Sequence, residues 1–189
     1  PDELDDMLLS IMDHINRGLE FVSKEEERLR FADYNLRAGR KAREYVAYDS
    51  ALSYFQAGIS LLPANAWEEH YELSFGLYLG CAQCEYMLGG TARAERLFDE
   101  LIEHARTDEE RAGINSMKML LYTATGEQEK ALEIGIRTLR DLGMKIPVRP
   151  GLLDYLREMF LYKCRTLGKK VEDLVRIPEM APGVQRTIS

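Results

Sequence analysis

Three alanines recur along the chain with similar neighbours, and this repeat limits the fold more than any other feature of the sequence. Each is followed by a second core position four residues on and a third seven residues on: Ala51, Phe55 and Gly58; Ala94, Phe98 and Leu101; Ala131, Gly135 and Thr138. Gly89 and Gly126 each lie five residues before their alanine, where a turn between two helices is expected. A small residue at the alanine position lets two helices approach closely, so each copy predicts a helical hairpin.

Apolar residues recur at intervals of three and four along nearly the whole chain, which is the period of an amphipathic helix. Capping-box pairs mark three predicted helix starts: Ser23 with Glu26, Asn65 with Glu68, and Thr107 with Glu110. No stretch shows the alternation typical of a strand. The sequence therefore predicts an all-α protein of about eight or nine helices.

The hairpin copies resemble tetratricopeptide repeats, although their alanines are 43 and 37 residues apart and the family period is about 34. The resemblance implies an antiparallel helix-hairpin solenoid that winds as a right-handed superhelix, in which each unit covers the apolar face of its neighbour. We expect one helical-repeat domain over 1–177 and a truncated tail at 178–189. Within the domain we expect units at about 24–63, 65–106 and 108–143, with flanking helices at 2–22 and 152–176.

Charge and composition exclude several classes of partner. The formal net charge of −7 argues against nucleic acid, whose binding domains are usually basic, and against anionic lipid surfaces. No apolar run approaches the roughly 18 residues of a membrane span, and no signal-peptide pattern is present. Three cysteines, without the spacing of a disulfide framework, favour a reducing compartment. We therefore expect a cytoplasmic protein that binds neither nucleic acid nor membrane.

Cys81 and Cys84 stand in a CxxC spacing, which occurs in half-sites for zinc and in redox dithiols. A structural zinc site needs four ligands, whereas here the remaining candidates are a distant Cys164 and three scattered histidines. In the register of the second unit, Cys81 falls near the small-residue positions where helices pack. Packing is the favoured interpretation, metal and redox roles are the alternatives, and no cofactor is expected.

The first helix of a tetratricopeptide unit lines the concave surface of the stack, so the register selects candidate groove contacts. They are Leu36, Arg40, Arg43, Leu79, Gln83, Tyr86 and Met87. Three of these, Leu36, Arg40 and Arg43, belong to the basic run "LRAGRKAR". This run is either a contact for an acidic segment or a phosphate, or a solvated face that neutralises nearby glutamates. The solvated face is the favoured interpretation. Trp67 is expected to be a core anchor between units.

Several ordered strings resemble one family of large bacterial signalling proteins. They are "NLRAGRKAREYVAYDSALSYFQAGISLLP", "WEEHYELSFGLYL", "CEYMLGGTARAERLFDELIEHART", "LYTATGEQEKALEIGIRTLRDLGMKIP" and "VEDLVRIPEM". In that family a P-loop ATPase module precedes helical repeats, and a GAF domain with a histidine kinase or diguanylate cyclase follows. The resemblance implies that this chain is the connecting segment and carries none of the family's catalytic motifs. One departure is "GGTARAE", where the family usually has an acidic or aromatic residue after the glycine.

The sequence contains no GxxxxGK[ST], GxSxG, HExxH or GxGxxG motif, so no catalytic residue is proposed. We expect a non-enzymatic protein interaction and signal-relay module, a segment of a larger signalling protein. Its partner would be a protein segment or a neighbouring domain of the same polypeptide, and the oligomeric state stays open. The alternative is a helical domain that senses a small effector, as in a transcriptional regulator or sensor kinase.

Overall fold

A computed structural model of the protein describes residues 2–144 and 151–166, and both ranges are helical without any strand. The helices are α1 (Asp2–Asn16), α2 (Glu25–Glu44), α3 (Tyr48–Leu61), α4 (Ala66–Glu69), α5 (Tyr71–Met87), α6 (Thr91–His104), α7 (Asp108–Ala124), α8 (Gln128–Asp141) and α9 (Leu152–Thr166). The all-α prediction is confirmed for these ranges. The end of the predicted helix at 152–176 and the tail at 178–189 lie outside the described residues.

Only one of the predicted capping boxes forms. The Thr107 hydroxyl accepts a hydrogen bond from the Glu110 N–H at 3.1 Å, and the Glu110 carboxylate accepts one from the Thr107 N–H at 3.1 Å. The predicted box at Ser23 is wrong, because α2 begins after Lys24 and no side chain caps it.

Two predicted helices are interrupted. The helix expected to begin at Asn65 breaks at His70 into α4 and α5, and no side chain caps its start. The first helix, expected to reach residue 22, ends at Asn16 and is followed by a 3-10 turn at Leu19–Phe21. In both places apolar spacing continues across a backbone turn, so periodicity alone does not locate the end of the helix.

Helices α2, α5, α7 and α8 end in the same backbone turn. In each, an N–H just beyond the helix donates to the carbonyl five residues earlier: Ala47 to Ala42 (3.0 Å), Gly90 to Glu85 (2.7 Å), Glu127 to Tyr122 (2.8 Å) and Met144 to Leu139 (2.9 Å). This is the Schellman motif, which needs one residue with positive φ. Gly89 and Gly126 supply it at φ +80° and +83°, whereas Val46 supplies it in the first hairpin at φ +61°. A β-branched residue is strained in that conformation.

Consecutive helices pack as pairs: α2 with α3, α5 with α6, and α7 with α8. The pairs also contact each other, since α5 packs on α2 and α3, and α7 packs on α6. The repeated positions of the sequence lie at these contacts and are buried: Ala51, Phe55, Gly58, Ala94, Phe98, Leu101, Ala131, Gly135 and Thr138. The repeat therefore marks the residues through which paired helices meet.

Phe55 of α3 fills the space between α2 and α5, and two glycines make that space. A methyl group added at Gly39 of α2 would lie 2.6 Å from the Phe55 ring, and one added at Gly80 of α5 would lie 2.5 Å from it. The ring is fully buried. Its position thus requires the absence of a side chain on both neighbouring helices.

Helix α5 contributes to two core clusters. Leu77, Cys81 and Cys84 belong to the cluster formed with α1, α2 and α3, while Ala82 belongs to the cluster formed with α6 and α7. A helix that is packed on several sides is apolar on several sides. This explains why α5 lacks the clear polar face that the other helices show.

Helix α9 exposes most of its apolar side chains, namely Leu152, Tyr155, Leu156, Met159, Phe160 and Tyr162. Among the described helices, none combines the length with the hydropathy that crossing a bilayer would require.

Candidate docking face

Helices α2, α5 and α7, the first members of the three pairs, together form one face of the protein. It consists of Arg40, Arg43, Gln83, Tyr86, Met87, Met117 and Leu120, and we call it the α2–α5–α7 face. A depression of about 440 Å³ lies on it, lined by Arg43, Tyr48, Gln83, Tyr86, Met87, Phe98, Met117 and Leu120. Gln83, Tyr86 and Met87 share one side of α5 because they are three and four residues apart.

The structure brings four of the seven register-selected residues together at this depression: Arg43, Gln83, Tyr86 and Met87. Leu36 does not line it, because its side chain is buried in the first core cluster. Leu79 does not line it either; it is half-buried and packs against the second cluster. Arg40 lines a neighbouring depression instead. The two leucines among the candidates thus contribute to the core, whereas the other five side chains line depressions at the surface.

Register reasoning missed the contribution of α7. Leu120 lies eleven residues before Ala131, as Gln83 lies eleven before Ala94. Carrying the register into the third pair would therefore have found Leu120, which is 60 % exposed. Met117 lies one turn earlier on the same side of α7 and completes the wall of the depression.

A chain of polar contacts crosses the floor of the depression. The guanidinium of Arg43 on α2 donates to the side-chain oxygen of Gln83 on α5. The amide nitrogen of Gln83 in turn donates to the sulfur of Met117 on α7 at 3.4 Å. These contacts fix the Arg43 side chain at the edge of the apolar surface and connect one helix from each of the three pairs.

The neighbouring depression has a volume of about 570 Å³ and lies between α1 and α2. Its lining residues are Met7, Leu8, Ile11, Tyr34, Arg37, Arg40, Lys41 and Glu44. Arg40 separates it from the first depression, since its side chain also lies against Gly76 of α5: a methyl group there would be 3.2 Å from Arg40 Nη2. Arg40 and Arg43, one turn apart on α2, thus line one depression each.

The basic run of α2 is neutralised in part. Arg37 pairs with Asp33 at 3.0 Å, and Lys41 pairs with Glu44 at 3.6 Å. By contrast, within residues 2–144 and 151–166 no carboxylate forms an ion pair with Arg40 or Arg43. The solvated-face interpretation thus fits the outer residues of the run, whereas Arg40 and Arg43 present their charge at the depressions.

Cys81 and Cys84 are buried within the first core cluster on α5. Burial, with smaller effects from Glu85 and Cys84, raises the pKa of Cys81 to about 12. Burial raises the pKa of Cys84 to about 11, although the nearby charge of Arg43 opposes the shift. The thiolate is the form that binds metals and attacks electrophiles, and these environments disfavour it. Among the described residues no group of three or more metal-ligating side chains occurs.

Trp67 lies where the second helix pair meets the third. Its ring stacks on His104 with centroids 4.2 Å apart, and the Arg106 guanidinium donates to its carbonyl oxygen at 3.0 Å. The same guanidinium lies over the ring of Tyr71, whose hydroxyl donates to Glu110 at 2.8 Å. Burial and this bond raise the pKa of Tyr71 to about 12. Tyr71 and Arg106 hold the start of α7 against α4 and α5. The ring contacts of Trp67 itself, with Tyr71, Tyr78 and His104, all lie within the second predicted unit, and its role as an anchor between units stays a prediction.

The pKa of Glu110 reflects its hydrogen bonds at the start of α7. Burial alone would raise it, yet the hydrogen bonds from Tyr71 and from the backbone N–H groups of Arg106 and Thr107 lower it below the usual value. A carboxylate that accepts several hydrogen bonds is stabilised in its charged form. Glu110 is therefore a charged residue that fixes the start of α7 through these hydrogen bonds.

The comparison with known proteins finds one similar signalling protein. The chain is 24 % identical over 177 residues to "Hybrid signal transduction histidine kinase G" of Dictyostelium discoideum. The match covers 89 % of this chain and 5 % of that protein, so the chain spans about a twentieth of its length. No protein-family model and no solved structure matches the chain. The chain is thus similar to a segment of a eukaryotic signalling protein, whereas its ordered strings resemble bacterial ones.

Proposed function

We propose that this chain is a non-enzymatic, tetratricopeptide-like helical-repeat module that binds a protein segment on its α2–α5–α7 face. The observation that carries the proposal is the depression itself, which gathers four register-selected residues from two units and two more residues from a third. An apolar depression with an arginine at its edge suits an apolar side chain of a bound segment with a polar group beside it. The pairwise packing of α2 to α8 supports the solenoid arrangement.

The bound segment belongs to the same signalling polypeptide or to a protein that meets it in the cytoplasm. The similarity to part of a hybrid signal transduction histidine kinase supports the signalling context. The free, buried thiols of α5 support a reducing compartment.

Signal relay follows from the way that the face is built. One occupant contacts α2, α5 and α7 together, so it favours whichever spacing of the three helix pairs fits it best. A ligand shifts a conformational equilibrium by its difference in affinity for the two states. Filling the depression thus biases the relative position of the first and third pairs, and through them of domains attached at either end.

The test uses site-specific photo-crosslinking in the full-length signalling protein. A photoreactive amino acid replaces Leu120 on the face or Leu132 on α8, which are 60 % and 63 % exposed. We expect a defined segment to be captured at 120 and not at 132. We also expect Leu120→Glu to change the signalling output of the full-length protein, while Leu132→Glu does not. Equal capture at both positions, or unchanged output in Leu120→Glu, refutes the proposal.

A second function is supported by the size of the depression. Its volume of about 440 Å³ lies within the usual range of small-molecule pockets, and its walls are methionine and aromatic side chains. In this alternative the module senses an effector. Thermal-shift measurements distinguish the two, because a ligand that binds the folded state raises its melting temperature. A shift with a metabolite and none with peptides would favour sensing.

A further inference from the structure

We infer that the segment bound at the α2–α5–α7 face is acidic and amphipathic. Its apolar side chains fill the depression beside Met117 and Leu120, and its carboxylates pair with Arg43 and Arg40. The inference rests on the proposed function, because it specifies the chemistry of the occupant of that same face.

The charge of this surface is opposite to that of the protein as a whole. The chain has 25 Lys and Arg residues against 32 Asp and Glu residues. Nevertheless, the charged residues that line the two depressions are Arg37, Arg40, Lys41, Arg43 and Glu44. Arg37 and Lys41 are paired with Asp33 and Glu44, so the excess positive charge is that of Arg40 and Arg43. A local excess of positive charge in an acidic protein selects an acidic partner by contact, since charges beyond about 8 Å are largely screened at physiological salt.

Arg43 is prepared for a carboxylate before any partner arrives. Gln83 accepts one of its N–H groups and holds the guanidinium beside the apolar wall. A guanidinium has five donors, so others are left for a carboxylate, which it binds as a planar fork. Because the side chain is already positioned, less conformational entropy is lost when the partner binds.

The spacing of the two arginines sets a requirement on the segment. Arg40 and Arg43 are one turn apart on α2, which places their Cβ atoms about 5–6 Å from each other. Carboxylates three or four residues apart on a helix have the same spacing, and carboxylates two residues apart on an extended strand lie about 7 Å apart. A segment that alternates such carboxylates with bulky apolar residues fits both the charges and the depression.

The apolar part of the surface accepts side chains of varied shape. Met87 is 53 % exposed and Met117 stands opposite it across the depression. Methionine side chains are unbranched and adjust to different partners. The apolar contacts therefore contribute affinity with little selectivity, and the arginines contribute the preference for acidic segments.

The test uses two fluorescein-labelled synthetic peptides with identical leucine and phenylalanine positions. One carries glutamate and the other lysine at every polar position. Fluorescence anisotropy with the whole chain should show the glutamate peptide binding about tenfold or more tightly than the lysine peptide, because a hydrogen bond to a charged group contributes about 1.5–3 kcal/mol. High salt should reduce this difference.

Charge reversal provides the decisive variants. Arg43→Glu should weaken binding of the glutamate peptide and strengthen binding of the lysine peptide. Unfolding of the face would weaken both, so it would not produce this reversal of preference. Arg137→Glu is the matched control, since Arg137 lies on α8 and pairs with Glu133 in solvent at 3.0 Å. We expect it to leave both affinities unchanged.

The outcomes separate this inference from the proposed function. Equal binding of the two peptides, or an unchanged preference in Arg43→Glu, overturns the acidic-segment inference and leaves docking at the face intact. Failure of both peptides to bind, while Leu120 still captures a segment in the full-length protein, also overturns it. Failure of both peptides together with no capture at Leu120 refutes both.

Discussion

Adding one methyl group at Gly80 tests whether the first two helix pairs are held together by Phe55. In the structure that methyl group would lie 2.5 Å from two atoms of the Phe55 ring and 2.7 Å from a third. The ring has little room to move toward α2, because it also packs closely on Gly39, where an added methyl group would lie 2.6 Å from it. Gly80→Ala must therefore separate α3 from α5 or force the ring from its rotamer.

The expected magnitude follows from two opposing effects. Overpacking a core costs about 1–3 kcal/mol, and the upper part of this range applies here because the ring is held on both sides. Replacing glycine by alanine inside a helix favours folding by about 1 kcal/mol. We expect Gly80→Ala to lower the free energy of unfolding by about 1–2 kcal/mol.

Gly113→Ala is the matched control within the same protein. Gly113 also lies inside a helix, α7, but a methyl group there meets no atom within 4 Å. Only the helix-propensity effect remains, so this variant should be stabilised by up to about 1 kcal/mol. The difference between the two variants isolates the packing cost, since the propensity effect is common to both.

Urea unfolding followed by circular dichroism measures both variants, with the slope m checked for constancy. A third protein combines Gly80→Ala with Phe55→Leu, in which the smaller and more flexible side chain should tolerate the added methyl group. The loss of unfolding free energy caused by Gly80→Ala, measured against Phe55→Leu alone, should therefore be smaller than the loss measured against the unaltered protein. The reasoning is refuted if Gly80→Ala and Gly113→Ala change stability in the same direction, or if Phe55→Leu leaves the cost unaltered.

Three further predictions concern the turns, the cap and the thiols. Val46→Gly should raise the free energy of unfolding by about 1 kcal/mol, because glycine adopts positive φ without strain; an unchanged urea midpoint would contradict this. Thr107→Ala should lower the free energy of unfolding by about 1 kcal/mol through loss of the capping box, while Thr107→Ser should keep most of that stability; urea unfolding again measures both. In native protein at pH 8, about half a unit below the ordinary pKa of cysteine, a thiol reagent should modify exposed Cys164 and spare buried Cys81 and Cys84 until urea is added.

The repeat predicted the helical class and the buried positions because closely packed helices need small residues where they cross. Ala51 and Ala94 had to be small where helices cross, and both are fully buried. Helix ends were predicted less well. Ser23 matched a capping pattern, yet the backbone turned one residue later, since a cap depends on the angle at which the chain enters the helix.

The face was predicted only in part, for a related reason. Register indicated which side of α2 and α5 would face outward, and Arg43 and Gln83 do so. It gave no information on how deeply each position would lie, so Leu36 was placed in the groove although it is buried in the core. The contact between Arg43 and Gln83 joins residues 40 positions apart, and no local pattern in the sequence encodes such a contact.

The third helix pair differs from the first two in a way that bears on signal relay. Where Phe55 and Phe98 fill their pairs, the third copy has Gly135, and the flexible side chain of Met119 lies against it instead. Methionine fixes a single packing arrangement less firmly than a phenylalanine ring does. We therefore expect α8 to open more readily than α3.

Helices α3 and α8 are both 14 residues long, so hydrogen exchange can compare them directly. Their different packing predicts faster amide exchange in α8, since segments with fewer buried apolar contacts open at lower free energy. Equal protection of the two helices would contradict this. If α8 does exchange faster, the third helix pair is packed less firmly than the first. Under the proposed function, an occupant that spans α2, α5 and α7 would then move the third pair relative to the first. The proposed relay would then act in one direction, because binding at the face would displace the less firmly packed third pair and leave the first pair in place.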